Sequence, residues 1–143
     1  MTGTLTLRGL TWDHPRGFDP LVACASRYAE IAPGVRIEWH KRSLHDFGAY
    51  PIEELAHRFD LLVIDHPFMG QAERTGCFRD LRELIDAGTL ETLMGQGVGP
   101  SGTSYAWNGK VYALPTDAAA HVASYREDLL VELSLAPPRR WTE

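Results

Sequence analysis

The run Leu61-Leu62-Val63-Ile64 constrains the fold more than any other stretch of this chain. It is apolar and branched at every position, which is how a strand covered on both faces of a parallel sheet reads; a strand with one wet face would alternate. Parallel neighbours cannot be joined by a tight turn and need a crossover, usually a helix. The upstream sequence supplies this alternation. Residues 4–10 alternate polar and apolar, with threonines that suit a pleated surface, and stop at Trp12-Asp13-His14-Pro15. Asp19 followed by Pro20 has the form of an N-cap with proline at the first helical position. Leu21, Cys24, Ala25, Tyr28 and Ile31 then recur at helical spacing until Pro33-Gly34. Residues 35–39 alternate again as a second strand, and after Pro51 the residues Ile52, Leu55 and Phe59 form a short helical stripe that Asp60 ends. The order is β-α-β-α-β.

Beyond the third strand the pattern is helical in pieces, with stripes at Leu81, Leu84 and Ile85 and at Leu90, Leu93 and Met94. Residues 95–102 carry four glycines and one proline without periodicity and read as a flexible connector. Asn108-Gly109, flanked by Tyr105-Ala106-Trp107 and by Val111-Tyr112-Ala113-Leu114, is a strong β-hairpin signal, because both residues tolerate the positive φ of a tight hairpin turn. Residues 121–125 read as one more strand and 127–135 as a helix that runs into Pro137-Pro138. The expected class is α/β, a mostly parallel sheet with a β-hairpin insertion.

A chain of 143 residues supports one hydrophobic core, and 44% hydrophobic with 23% charged residues is an ordinary globular balance. A formal net charge of -5 argues against a surface built to neutralise phosphates, so nucleic acid is not an expected partner. No apolar run approaches the roughly 18 residues that span a bilayer. Residues 1–8 lack the basic and apolar regions of a secretory signal, which leaves the cytoplasm open as a compartment alongside prior removal of a signal. Cys24 and Cys77 are too few and too far apart for a disulfide framework or a CxxC site, and read as ordinary thiols.

Chemistry-bearing residues gather at strand ends. Asp13-His14-Pro15 follows the first strand and Asp65-His66-Pro67 the third. In an open parallel sheet, ligands bind outside the carboxyl ends of the strands where the order reverses, and if the strand order is 2-1-3 the two triplets are neighbours. Thr116-Asp117 follows the hairpin and would reach the same rim if that strand continued the sheet; Trp12 and Phe68 add aromatic surface. Three readings stay open at this point. Asp13, His14, Asp65, His66 and Asp117, with His121, could ligate zinc or manganese, although no tight spacing such as HExxH is present. His14 and His66 could be plain turn residues before proline, with the aspartates as caps. The third is a polar ligand held by hydrogen bonds and aromatic stacking. Nucleophilic catalysis by Ser101, Ser104 or Ser124 with His121 and Asp117 lacks a GxSxG elbow, and the glycine-rich loop fits neither GxGxxG nor a P-loop.

From Trp107 onward the chain resembles a known family. Asn108-Gly109-Lys110-Val111-Tyr112-Ala113-Leu114-Pro115, then Ser124-Tyr125-Arg126-Glu127-Asp128-Leu129-Leu130, then Leu135-Ala136-Pro137-Pro138 and Trp141-Thr142-Glu143 resemble, in order and spacing, segments of the maltose-binding-like extracellular solute-binding proteins of bacterial ABC importers. Residues 5–93 are compatible but carry weaker motifs. The resemblance implies a lobe of the type II periplasmic-binding fold with sheet order 2-1-3, no catalysis, no cofactor, and capture of a small polar solute, a carbohydrate above all, for delivery to importer permease subunits in the periplasm or outside the cell. It implies solute contacts at Trp12, Asp13, His14, Arg16, Asp65, His66, Thr116 and Asp117. Residues 1–143 would form a single N-terminal lobe, with 126–143 starting the crossover to a second one that the sequence given does not include. Apolar surface meant for that second lobe would favour homo-oligomers and leave solute affinity weak, on the order of millimolar, since affinity follows burial.

Overall fold

In the computed structural model, which describes residues 3–47, 51–118 and 123–140, the central strand is β1 (Leu5–Trp12). It pairs in parallel with β2 (Val35–Arg42) along its whole length, from Leu5 opposite Val35 to Trp12 opposite Arg42. On its other edge it pairs in parallel with β3 (Leu61–Leu62) through Gly9 and Leu10. The class is α/β, as the strand and helix patterns predict, and the sheet order is β2-β1-β3, the order that the family resemblance implies. Regular pairing of β3 ends sooner than the apolar run: the Val63 N–H still donates to the Leu10 carbonyl at 2.9 Å, and Ile64 then turns into the core. Asp60 fixes the start of β3, its N–H donating to the Arg8 carbonyl and its carboxylate accepting from the Arg8 N–H, both at 2.8 Å.

Helix α1 (Pro15–Ile31) begins at Pro15 and carries Pro20 inside it, where the sequence pattern placed the start at Pro20. Two X-Pro pairs compete for the N-terminus and the earlier one wins. His14 is extended and its imidazole Nδ1 accepts the Arg16 N–H at 3.1 Å, so it caps the helix with Pro15 at the first helical position. Pro20 then costs a single intrahelical bond, the one its missing N–H would have donated toward Arg16. A short helix α2 (Leu44–Phe47) was not legible as such; it is seeded by the Ser43 hydroxyl, which accepts the Asp46 N–H at 3.1 Å. Helix α3 (Ile52–Arg58) lies where its stripe predicts and ends at the extended Phe59. Helix α4 (Met69–Thr75) is also unanticipated; it buries Met69 and Ala72 and terminates on Gly76 at φ 63, the left-handed cap that glycine adopts without a Cβ penalty. The stripe at Leu81 closes only a 3-10 turn (Leu81–Glu83), whereas α5 (Ala87–Gly95) is a true helix capped by Asp86, whose carboxylate accepts the Thr89 N–H at 2.9 Å.

The hairpin forms as expected between β4 (Ala106–Trp107) and β5 (Lys110–Val111), with Asn108 and Gly109 both at positive φ, 48 and 78. It makes its own antiparallel pair and does not continue the main sheet. Two carboxylates hold it down instead. Glu73 of α4 accepts from Asn108 Nδ2, from Lys110 Nζ at 3.1 Å and from the Tyr112 hydroxyl, and Asp80 accepts the Val111 N–H at 3.1 Å. These bonds keep the Glu73 carboxyl down at about 2, with the Tyr112 hydroxyl the largest cause, then Lys110 and Asn108; Asp80 is lowered chiefly by Arg82. Of the strand read at 121–125, residues 121 and 122 lie outside the described residues, and 123–126 carry no regular structure. Helix α6 (Glu127–Glu132) is shorter than its pattern, and Ser134 just beyond it turns to φ 55.

The core is one cluster of Leu10, Ile52, Leu55, Ile64, Met69 and Tyr112, so β1, α3, β3, α4 and the segment after the hairpin share it. Full burial of each such side chain contributes about 1.5–3 kcal/mol. The α1 side is thinly covered, with Val22, Tyr28 and Ile31 exposed. Among the described residues no helix is long and apolar enough to cross a membrane.

Candidate functional site

Sheet order places the carboxyl ends of β1 and β3 side by side, and the anchored hairpin delivers the segment from Tyr112 to Asp117 toward them. The meeting point is direct. Arg16, in the first turn of α1, pairs with Asp117 at 3.2 Å, joining the loop after β1 to the segment after β5. With Arg16 largely exposed, the pair contributes about 0.2–1 kcal/mol to stability. Its consequence is positional, because it sets the geometry of the rim.

Beside this pair opens a cleft of about 450 Å³, lined by Leu93 and Gln96 at the end of α5, by Gly97, Val98 and Ser101, and by residues 114–118. That volume lies in the range of small-ligand sites, roughly 300–1,000 Å³. Its walls are apolar at Leu93, Val98, Leu114 and Pro115 and polar at Gln96, Thr116 and Asp117. The Ser101 hydroxyl, buried in the wall, has no hydrogen-bond partner among the described residues. The glycine-rich stretch read as a connector therefore builds one wall. It folds back so tightly on α5 that a Cβ on Gly102 would lie 2.3 Å from the Met94 carbonyl oxygen, and one on Gly97 2.8 Å from Ser101 Oγ. At Gly102, where the obstacle is backbone, glycine is a requirement of the close approach; at Gly97 the nearest atom is a serine hydroxyl that can rotate.

Tyr105 was not singled out by the sequence, yet it ties the rim together. Its hydroxyl donates to the Ile64 carbonyl at 3.3 Å, at the end of the third-strand run. Its ionisation is pushed up, first by burial and then by the negative charges of Asp65 and Asp117, so both carboxylates act on one phenol. The phenol stays protonated at neutral pH. Only its aromatic type and its place before β4 hinted at a role, and those signals are shared by many core tyrosines.

Of the eight predicted contacts, Thr116 and Asp117 line the cleft, Arg16 borders it through Asp117, and Asp65 shares Tyr105 with Asp117. The others are used differently. Trp12 lies flat on α1, so close that a Cβ on Gly17 would sit 2.5 Å from its ring. Asp13 pairs with Lys41 at 2.8 Å. His14 spends its Nδ1 acceptor on the helix cap, and His66 opens the 3-10 turn His66–Phe68, exposed to solvent. Phe68 is half-buried and packs against the core. Among the described residues no three His, Cys, Asp or Glu side chains assemble at metal-holding distance, and of the five proposed ligands Asp13, His14 and Asp117 already have the partners named here. His121 lies outside the described residues.

No known protein family matches this sequence, and no curated protein matches it.

Proposed function

We propose that this protein captures a small polar solute without transforming it, at the rim where β1, β3 and the segment after β5 converge. The observation that carries the reading is the Arg16–Asp117 contact beside a cleft of about 450 Å³, in a parallel sheet of order β2-β1-β3. Open α/β sheets bind ligands outside the carboxyl ends of their strands, and Asp117 joins the cleft wall to Arg16 in the helix turn that follows β1. Its apolar floor suits the face of a sugar ring, and Gln96, Thr116, Asp117 and Arg16 offer both donors and acceptors to hydroxyl groups. The resemblance of residues 107–143 to binding proteins of ABC importers points the same way, toward a carbohydrate bound for import through permease subunits.

A thermal-shift screen with sugars, polyols, small carboxylates, amines and divalent metals, each with and without chelator, tests this. A ligand that binds only the folded state stabilises it by about 2.7 kcal/mol at one hundred times its dissociation constant. The expected result is a chelator-insensitive rise with one polar solute class at concentrations up to about one hundred millimolar, lost in Asp117→Ala. A flat screen would refute the reading. So would a zinc or manganese response that chelator and the His14→Ala, His66→Ala pair remove.

A further inference from the structure

Among the described residues, β2 is paired on one side only. The Arg42 carbonyl accepts the Asp13 N–H and the Gly34 carbonyl accepts the Leu5 N–H, so the even-numbered residues of β2 turn their backbone toward β1. In a parallel ladder the alternate residues, Ile37, Trp39 and Lys41, then direct their N–H and C=O groups away from the sheet. Val35 shares this phase, with its N–H taken by the Ala32 carbonyl. The side chains that commonly blunt an open edge do not cover this one. Lys41 leans onto α1, where its Nζ meets Asp13 at 2.8 Å and lies 4.9 Å from the centre of the Phe18 ring. The Trp39 indole lies over Gly9 of β1, 2.5 Å from where a Cβ would stand. On the other face of β2, Arg36 pairs with Glu38 at 3.0 Å, and Arg8 of β1 stands opposite Glu38.

We infer that two copies of this chain join through their β2 edges, antiparallel about a twofold axis at Ile37, into one continuous sheet. Backbone phase requires odd-numbered residues to face odd-numbered ones, which leaves only registers that differ by two residues. With Ile37 opposite Ile37, the two exchange both backbone hydrogen bonds, each Trp39 N–H donates to the Val35 carbonyl of the second copy, and each Arg36 faces a Glu38. The row across the sheet then runs Arg8, Glu38 and Arg36 of the second copy, alternating in sign. A slip one way sets Glu38 against Glu38 and a further slip sets Arg36 against Arg42; a slip the other way sets Arg36 against Arg36. Each of these opposes like charges, which is destabilising. In the favoured register His40 and Arg42 lie beyond the paired stretch. Two identical edges that meet this way close on themselves, so association through them stops at the dimer. The inference stands apart from the solute reading.

Charge-exchange variants give the test, in a Val131→Glu background that weakens contact through the exposed apolar residues of α6. A short edge-to-edge contact belongs with the small, weak interfaces, so sedimentation velocity at low salt should give a dissociation constant on the order of a hundred micromolar. Arg36→Glu and Glu38→Arg, each alone, set like charges face to face and should weaken association about tenfold. Both side chains are solvent-facing, 69% and 43% exposed, so the variants should keep the circular dichroism of the parent. Mixing the two single variants should restore association, because unlike charges then meet again across the edge. Amide hydrogen exchange at rising protein concentration should slow at Ile37 and Trp39, whose N–H groups the second copy takes, and stay as it was at Glu38 and His40, which β1 already protects. A mixture that associates no better than either variant alone overturns the inference. So does a chain that stays monomeric up to about millimolar concentration, or an association that leaves exchange at Ile37 and Trp39 unchanged.

Discussion

Replacing Gly17 by alanine sets two principles against each other. In a helix, Gly→Ala is normally stabilising by about 1 kcal/mol, because glycine has more backbone freedom to lose and alanine is the best helix former. Gly17 lies inside α1 at ordinary helical φ, so propensity alone predicts a gain. Packing predicts a loss. The new methyl would lie 2.5 to 2.6 Å from three atoms of the Trp12 ring system, nearly 1 Å inside normal contact, and the ring is a rigid plane. Gly17 also accepts the Thr11 hydroxyl at 3.1 Å, and Thr11 is fully buried, so α1 has little freedom to back away. Overpacking of this kind costs about 1–3 kcal/mol. The net expectation is a destabilisation of about 1 kcal/mol, or a fall of about 2–4 °C in Tm for a chain near this size. Gly88→Ala on α5 is the control, because a methyl there meets a single atom at 3.6 Å and should bring up to about 1 kcal/mol of stabilisation. Urea unfolding followed by far-ultraviolet circular dichroism reads both. If Gly17→Ala stabilises the protein as much as Gly88→Ala does, the Trp12 indole does not lie on α1, and the description of the rim falls with it.

Ile52→Ala removes a fully buried side chain from the centre of the core and should cost about 2–5 kcal/mol by urea denaturation; a loss under about 1 kcal/mol would mean that the cluster around Leu10 is not packed. Glu73 has its carboxyl near 2 in the folded state against 4.5 unperturbed, so its stabilising share is complete above about pH 4.5 and is lost as the pH falls toward 2. The urea midpoint of Glu73→Gln should accordingly fall less steeply than that of the wild type across that window, and parallel curves would refute the assignment. Tyr125, Leu129, Val131 and Leu133 stand exposed around α6. Sedimentation velocity over a concentration series should show reversible self-association, weakened by Val131→Glu; a single monomeric species at every concentration would refute it.

The sheet was legible because its signals are local and agree. Alternation at Thr4 to Leu10, the uninterrupted Leu61 run and the stripe of Ile52 and Leu55 each point to one conformation, while the strand order β2-β1-β3 is a tertiary choice that no single stretch encodes. Helix α1 was misplaced at its start because Asp19-Pro20 and His14-Pro15 look alike one-dimensionally, and only the three-dimensional cap on Arg16 decides between them. Helix α4 escaped notice because Met69 and Ala72 make too thin a stripe; its burial comes from the tertiary environment. At the rim, the pairing of Arg16 with Asp117 follows from strand order plus a hairpin anchored on Glu73 and Asp80, two carboxylates that no motif marks. The cleft wall was hidden for a related reason: the glycine at 102 is needed for contact with α5, and in a sequence it is indistinguishable from the glycines of a loose linker.

The turn at Asn108-Gly109 has a further consequence, on the time scale of storage. An asparagine followed by glycine is the sequence most prone to cyclise through attack of the glycine nitrogen on the side-chain amide, opening to aspartate or isoaspartate with loss of ammonia. Here the Asn108 amide nitrogen is held by Glu73 at 3.2 Å, and the product would place a second carboxylate against the first while losing a donor that keeps Glu73 ionised. The hairpin latch should thus age chemically. Incubation at mild alkaline pH should generate a more acidic species with a loosened hairpin, and Asn108→Gly, which keeps the positive φ and removes the amide, should arrest it; unchanged charge profiles after prolonged incubation would show that the latch itself shields the turn.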